Sequence, residues 1–242
     1  MFSISCELPN QVDWLKLVRL LKKLDMSLTV SLACSSKKDF LQWKKKINSK
    51  KIKLIAWPLL KDEEGYWFSG QIKKEYIDRL KEFKGIEMHI DLEPPYRKNK
   101  WEWLKMFFKK GKNTEYFQEV LTELKDDLTI STFAFPDFML NWLGAINVPK
   151  NYLIFPSIVP WYIQPLYYSY LSLFLRTHKD GDYIIGYIGQ GKFYFPKEYK
   201  TPKDLEDDIK WLKHHQVRGI TIFCLEGLMK KKNPENWLRL LS

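Results

Sequence analysis

The amino-acid sequence predicts a (β/α)8 barrel, and three observations support this fold class. Short runs of β-branched and aromatic residues alternate with amphipathic segments from one end of the chain to the other. Eight such strand candidates are present, which is the number that closes a barrel. The chain has 242 residues, a length that one barrel occupies, and no linker rich in Gly, Ser or Pro interrupts it. We therefore expect a single domain over residues 1–242.

The elements follow one another in the order that parallel strands with crossover helices require. The strand candidates are Phe2–Cys6, Leu28–Cys34, Ile52–Trp57, Gly85–Glu93, Leu128–Ala134, Tyr152–Ser157, Tyr183–Gly189 and Gly219–Leu225. The predicted helices are Gln11–Leu24, Lys37–Ile47, Gln71–Phe83, Thr114–Lys125, Asp137–Gly144, Gln164–Arg176, Pro202–His214 and Glu235–Leu241. An open doubly wound sheet would show the same alternation. Its nucleotide-binding form needs a glycine-rich loop after the first strand, where this chain has Glu7-Leu8-Pro9-Asn10.

Composition limits the kinds of partner. The formal net charge is +11, but the lysines are scattered over predicted helices and helix ends, which is typical of a solvated outer face. We therefore expect no specific nucleic-acid partner.

Cys6, Cys34 and Cys224 lie far apart without CxxC spacing, which argues against a zinc site or a disulfide framework. We expect buried free thiols, no bound metal and no cofactor.

The apolar segments predict no membrane partner. The longest of them, residues 152–175, is interrupted by Pro156, Pro160, Gln164 and Pro165, and this suits a spanning helix poorly. The first residues carry no basic leader followed by an apolar stretch and a cleavage site. We therefore expect a cytoplasmic protein, and the sequence leaves its oligomeric state open.

The active site of such a barrel lies at the carboxyl ends of the strands. The residues at these ends are mainly acidic and aromatic, which suits a carbohydrate ligand. They are Glu7, Cys34, Trp57, Asp91, Glu93, Phe135, Asp137, Ser157, Gln190 and Glu226. Among them we predict that Glu7, Asp137, Gln190 and Glu226 contact the substrate.

The fourth strand is the most informative, because alternate side chains of a strand share one face. Its polar residues at this spacing are Glu87, His89, Asp91 and Glu93. Asp91 and Glu93 would lie close enough for one charge to raise the pKa of the other, which keeps a general acid protonated near neutral pH. Alternatively, both acids form ion pairs that only shape the barrel end, Glu87 marks the strand start, and His89 is a hydrogen-bonded core residue.

An aromatic segment follows the third strand. Trp57-Pro58 is followed by Gly65-Tyr66-Trp67, and flat rings with a polar handle suit the faces of sugar rings. We predict that Trp57, Tyr66 and Trp67 form a substrate platform. Four aromatic residues after the sixth strand could extend this platform, with ordinary core packing as the alternative. They are Trp161, Tyr162, Tyr167 and Tyr168.

The stretch Ile86-Glu87-Met88-His89-Ile90-Asp91-Leu92-Glu93 resembles the fourth-strand signature of family 18 glycoside hydrolases, the chitinase-like barrels, which reads DxxDxDxE. Asp91 falls on the last aspartate and Glu93 on the catalytic glutamate. His89 and Ile86 stand where the middle and first aspartates are expected, so only the DxE end matches. The closing strand, Gly219 to Glu226, is similar to that of many sugar-cleaving barrels.

The resemblance implies a retaining mechanism in which the acetamido group of the substrate takes part. Glu93 would protonate the glycosidic oxygen, and Asp91 would orient the acetamido group and stabilise the cyclic intermediate. A tyrosine near the sixth strand normally helps to hold that group. Tyr162 is the candidate for this role.

Three functions remain open from the sequence. The first is a glycoside hydrolase or transglycosidase that acts on an oligosaccharide, with catalytic candidates Glu93, Asp91, His89 and Tyr162. The second is a metal-dependent sugar isomerase, lyase or phosphodiesterase, with hard oxygen and imidazole ligands. Its candidate ligands are Glu7, His89, Asp91, Glu93 and Glu226. The third is a barrel that binds glycans without turnover.

Overall fold

The computed structural model of the chain describes residues 2–97, 99–178, 181–186, 188 and 198–242. Its eight strands pair in chain order and close into a barrel. They are β1 (Phe2–Cys6), β2 (Leu28–Cys34), β3 (Ile52–Pro58), β4 (Met88–Asp91), β5 (Leu128–Phe133), β6 (Lys150–Ile154), β7 (Asp182–Ile185) and β8 (Gly219–Phe223). The predicted (β/α)8 fold is therefore confirmed.

Helices follow the strands as the alternation predicts. They are α1 (Trp14–Lys23), α2 (Lys37–Ile47), α3 (Lys74–Ile77), α4 (Lys100–Met106), α5 (Thr114–Glu123), α6 (Asp137–Leu143), α7 (Gln164–Thr177), α8 (Pro202–His214), α9 (Leu225–Lys230) and α10 (Pro234–Leu238). The sequence predicts neither α4 nor α9. Within the described part of the chain, no helix combines the length and apolar character that crossing a bilayer requires.

The chain packs as two compact units. The first comprises Met1–Leu32, Lys44–Leu54 and Tyr152–Ser242, and the second comprises Ala33–Trp43 and Ile55–Asn151. In the first unit β8 pairs in parallel with both β7 and β1. In the second unit β4 pairs in parallel with β3 and β5. Because β4 pairs with β5, the polar carboxyl-terminal end of β4 lies directly beside β5.

In the first unit, α8 is fixed to its neighbours by the buried carboxylate of Asp208. The Ser157 hydroxyl donates to Oδ1 at 2.6 Å, and the Ser157 backbone N–H donates to Oδ2 at 3.2 Å. The hydroxyls of Tyr168 and Tyr199 also donate to this carboxylate. Burial raises the pKa of Asp208, and the hydrogen bonds oppose that rise. Several donors thus compensate for burying one acid.

In the second unit, two glycines permit a close backbone contact beside α4. A Cβ on Gly111 would lie 2.3 Å from the backbone carbonyl carbon of Gly70, so a side chain there would force the two segments apart. The backbone N–H of Asn113 donates to the Gly70 carbonyl at 2.8 Å, and that of Tyr96 donates to the Gly65 carbonyl at 2.8 Å. The segment from Tyr96 to Asn113, which contains α4, therefore begins and ends on the same short stretch of chain.

Candidate functional site

The carboxylate of Asp91, at the end of β4, is held by hydrogen-bond donors on both neighbouring strands. The indole Nε1–H of Trp57, on β3, donates to Oδ2 at 3.1 Å. The hydroxyl of Ser131, on β5, donates to Oδ1. The strand register explains both contacts, because Ser131 is the β5 partner of Asp91 and Ala56 of β3 pairs with Met88. Each carboxylate oxygen thus has a neutral donor that fixes its position.

His89 lies two residues before Asp91 and is only 3% exposed. Its Nε2 is 3.8 Å from Asp91 Oδ1, which is too long for a hydrogen bond. Its ring stacks on Trp57 with centroids 5.9 Å apart and planes at 20°. Neither ring nitrogen has a hydrogen-bond partner among the residues that the structure describes. Burial lowers the pKa of His89 to about 4, so the imidazole is neutral at pH 7.

Glu93 is buried two residues beyond Asp91. The chain stays extended there, since Leu92 forms a parallel bridge with Phe68 and its N–H donates to the Ser131 carbonyl at 2.8 Å. The alternation of an extended chain assigns Glu93 to the face that carries His89 and Asp91.

Glu87 does not belong to this polar face. It precedes β4 and is exposed, and its carbonyl accepts a backbone hydrogen bond from Ala56 at 3.0 Å. The polar alternation on β4 therefore begins at His89, and Glu87 lies just ahead of the strand.

The aromatic residues after β3 form a ring cluster in the same unit. Trp67 contacts Tyr66, Tyr96 and Trp103, with centroids 5.4, 6.2 and 6.1 Å away. Trp57 and Tyr66 are buried, whereas Trp67 is half-buried. Of the three predicted platform residues, Trp67 thus offers the most ring surface to a ligand.

Two predicted substrate contacts, Glu7 and Glu226, lie together in the first unit. Glu226 is fully buried in the first turn of α9, and its Oε1 accepts from the backbone N–H groups of Glu7 and Leu8, each at 3.2 Å. Burial raises the pKa of Glu226, and burial followed by the charge of Glu226 raises the pKa of the Cys6 and Cys224 thiols. Glu226 thus binds the backbone at the end of β1.

The remaining predicted residues belong to separate elements of the chain. Asp137 is exposed at the start of α6, and Tyr162 is exposed before α7 with its ring 6.0 Å from that of Trp161. Tyr167 accepts a backbone hydrogen bond from Phe155, while Tyr168 belongs to the Asp208 cluster. Gln190 lies outside the described residues. Over the described ranges, no three His, Cys, Asp or Glu side chains are grouped so that they could hold a metal ion.

The sequence does not single out Ser131, although its hydroxyl contacts Asp91. The signal that could have found it is the polar run Ser131-Thr132 on a buried strand next to β4. Using that signal requires the register between β4 and β5, which neither strand reveals alone.

No protein-family model and no curated protein matches this chain. Among solved structures, the PgaB (BpsB) glycoside hydrolase domain from Bordetella bronchiseptica is similar, with a TM-score of 0.59 and 9% identity over 99% of this chain and 98% of that chain. A xylose isomerase domain protein from Planctomyces limnophilus has a TM-score of 0.52 and 13% identity over 99% of this chain and 95% of that chain. At such identities the likeness shows the fold alone. The chain therefore has a barrel fold of the kind found in a glycoside hydrolase domain, and neither neighbour points to family 18 in particular.

Proposed function

We propose that this chain cleaves or transfers an oligosaccharide, with Glu93 as general acid/base and Asp91 as its partner. The observation that carries the proposal is the Asp91 carboxylate, held by Trp57 and Ser131 and placed one alternation before the buried Glu93. Donors that point at a carboxylate favour its charged form. Asp91 therefore suits the stabilisation of positive charge, and Glu93, the next acid on the same face, is the candidate for proton transfer.

In the proposed reaction, the Glu93 carboxyl gives its proton to the glycosidic oxygen as the bond to the anomeric carbon breaks. The Asp91 carboxylate stabilises the positive charge that develops on the sugar. On an N-acetylated sugar, it would also orient the acetamido group that closes on the anomeric carbon. Water or an acceptor hydroxyl then attacks that carbon, and the Glu93 carboxylate takes up the proton that is released.

The aromatic cluster supports a sugar as the ligand, because the partly exposed ring of Trp67 is backed by the buried Tyr66. Flat apolar surfaces beside a few polar groups are typical of small-ligand sites. Four further substrate contacts stay predictions, namely Glu7, Asp137, Gln190 and Glu226. The role of Tyr162 also stays a prediction.

Glu93→Gln tests the proposal, because the amide cannot donate the proton although it keeps the shape of the side chain. We expect kcat to fall about 10²- to 10⁴-fold, the usual contribution of a general acid. Thermal unfolding and glycan binding should be unchanged. The assay follows the release of reducing ends from oligosaccharides of neutral and N-acetylated sugars, because a sugar leaving group has to be protonated. Glu87→Gln is the matched control, since Glu87 is exposed ahead of the same strand, and its rate should equal that of the unaltered protein.

Three outcomes would contradict the proposal. An unchanged rate in Glu93→Gln would remove Glu93 from the chemistry. Glycan binding without turnover over the whole substrate panel would favour a non-catalytic barrel. A stoichiometric metal whose removal abolishes turnover would favour the metal-dependent alternative.

A further inference from the structure

The outer side of α4 carries large apolar side chains in contact with solvent. Trp101 is 74% exposed, Leu104 38% and Phe108 60%. They are spaced by three and four residues, and Phe108 continues the helical turn because its N–H donates to the Lys105 carbonyl at 3.2 Å. Such spacing places them on one side of the helix. We call these three residues the α4 ridge, and exposed apolar clusters of this kind mark interaction sites.

The chain around the ridge is strongly basic. Residues 97–112 contain seven basic residues and one acidic residue, so they carry a net +6 of the total +11. Lys105, Lys109 and Lys112 are exposed, and none of them forms an ion pair with another described residue. Lys110 pairs with the exposed Glu115 at 3.1 Å. Unpaired positive charges therefore flank an apolar ridge.

The inner side of the same segment is well anchored. The indole of Trp103 donates to the Pro94 carbonyl at 3.3 Å, and its ring lies 4.9 Å from that of the fully buried Phe107. The ridge residues point away from these contacts. Their exposure therefore does not result from a poorly packed helix, and they can be replaced without opening the core.

We propose that residues 99–112 bind an anionic lipid surface, with the α4 ridge in the headgroup region and Lys105, Lys109 and Lys112 on the anionic headgroups. Helices that lie on membranes combine Trp, Phe and Leu on one side with lysines beside them. Anionic leaflets attract such basic segments. Charge complementarity thus selects the occupant of the ridge.

The ridge distinguishes lipid from other polyanions. An acidic glycan would engage the lysines, and a single-stranded nucleic acid would also stack bases on Trp101 and Phe108, but neither offers hydrocarbon in which Leu104 can be buried. A lipid surface can bury the apolar ridge and also pair with the lysines. This proposal is independent of the glycosidase chemistry, and it departs from the expectation of no membrane partner, which rested on the lack of a spanning segment.

Vesicle co-sedimentation of the full chain tests the proposal. We expect binding to phosphatidylcholine vesicles that contain phosphatidylglycerol, no binding to pure phosphatidylcholine, and weaker binding as salt shortens the Debye length below about 10 Å. The variant W101S/L104S/F108S should lose at least about tenfold in affinity, because the buried apolar area is gone. The variant K105Q/K109Q/K112Q should lose roughly a hundredfold, at roughly fivefold for each lysine.

The control is L166S/L173S, which removes two exposed apolar residues of α7 within a stretch that has no charged residue, 152–175. Its vesicle binding should equal that of the unaltered chain, and circular dichroism should show that all variants are folded. Equal binding to neutral and anionic vesicles would overturn the proposal. The proposal would also be overturned if the ridge variant still bound anionic vesicles and bound single-stranded DNA as tightly as the unaltered chain does. The segment would then bind polyanions in general.

Discussion

At the scale of single residues, the hydrogen bond from Trp57 to Asp91 determines how firmly the central carboxylate is held. Trp57→Phe keeps most of the ring but removes the Nε1–H that donates at 3.1 Å. We expect unfolding to require about 1–3 kcal/mol less, because a buried acceptor loses its partner. We also expect kcat to fall by about tenfold, which corresponds to about 1.4 kcal/mol of positioning. Urea unfolding and initial rates measure these two effects.

Trp14→Phe is the matched control, since its indole also donates one hydrogen bond, at 3.0 Å, to the Pro9 carbonyl. This variant should change stability without changing kcat. A double-mutant cycle of Trp57→Phe with Ser131→Ala then measures the coupling through Asp91. Strict additivity in both stability and rate would show that Trp57 and Ser131 do not act through one carboxylate.

His89 predicts a pH dependence whose sign follows from burial. Its pKa is lowered from 6.5 to about 4 in the folded chain, so between these values the unfolded chain binds more protons. Stability should therefore rise with pH over this window and fall as the solution is acidified. The full effect of one such residue is about 3 kcal/mol. Chemical denaturation at several pH values, compared with His89→Asn, isolates the contribution of this imidazole.

The comparison is necessary because the buried acids Asp208 and Glu226, whose pKa values are raised, contribute with the opposite sign. The unaltered chain and His89→Asn share those acids, so the difference between their pH-dependent stabilities reports His89 alone. Nitrogen chemical shifts of the ring give the titration directly. A midpoint near 6.5 in the folded protein would show that His89 is hydrated and would contradict its burial.

At the scale of secondary-structure elements, Asp208 links α8 to the turn that contains Ser157 and to Tyr168 and Tyr199. Asp208→Asn keeps the size of the side chain but replaces an acceptor oxygen by a donor. We expect the free energy of unfolding to fall by about 3 kcal/mol, because several donors lose one buried acceptor. Thermal unfolding measures this change.

The neighbouring Asp207 provides the control, since it lies on the same helix but is largely exposed and pairs with Lys203. Asp207→Asn should change stability by no more than about 0.5 kcal/mol. If the two variants were equally stable, the buried carboxylate would not anchor the helix.

Elements with strong local signals could be predicted from the sequence. α2 has the predicted bounds, and α8 begins where Thr201 accepts from the Asp204 N–H ahead of Pro202. β4 is shorter than predicted because Gly85 has a φ of 79° and the Ile86 N–H donates to the Phe83 carbonyl, so the chain is still turning there. α4 could not be predicted from periodicity, since apolar side chains occupy both of its sides.

In the candidate site, too, features of a single strand could be predicted, whereas contacts between elements could not. The alternation of His89 and Asp91 along one strand is visible in the sequence, whereas their position beside Trp57 is seen only in the structure. The contribution of Ser131 depends on pairing between strands. The binding of Glu226 to the backbone at Glu7 and Leu8 depends on α9 starting directly after β8, which the predicted strand Gly219–Leu225 obscured.

At the scale of the whole molecule, the barrel fold is shared with proteins of very different sequence. The chain shares its fold with a glycoside hydrolase domain at 9% identity and with a xylose isomerase domain protein at 13%. A fold that a glycoside hydrolase domain shares with a xylose isomerase domain protein carries little information about chemistry. What this chain does must therefore be decided by the residues at the end of β4 and by their measured reactions.

The close contact of Gly70 with Gly111 has a consequence for how this protein can change. The stretch between Tyr96 and Asn113 is hydrogen-bonded at its start to Gly65 and at its end to Gly70, so both of its ends are fixed to one short stretch of chain. The exposed side chains between these ends can change in polarity, whereas Trp103 and Phe107 anchor the segment and have to stay. The exposed side of this segment and the acids at the end of β4 can thus change independently of each other during evolution.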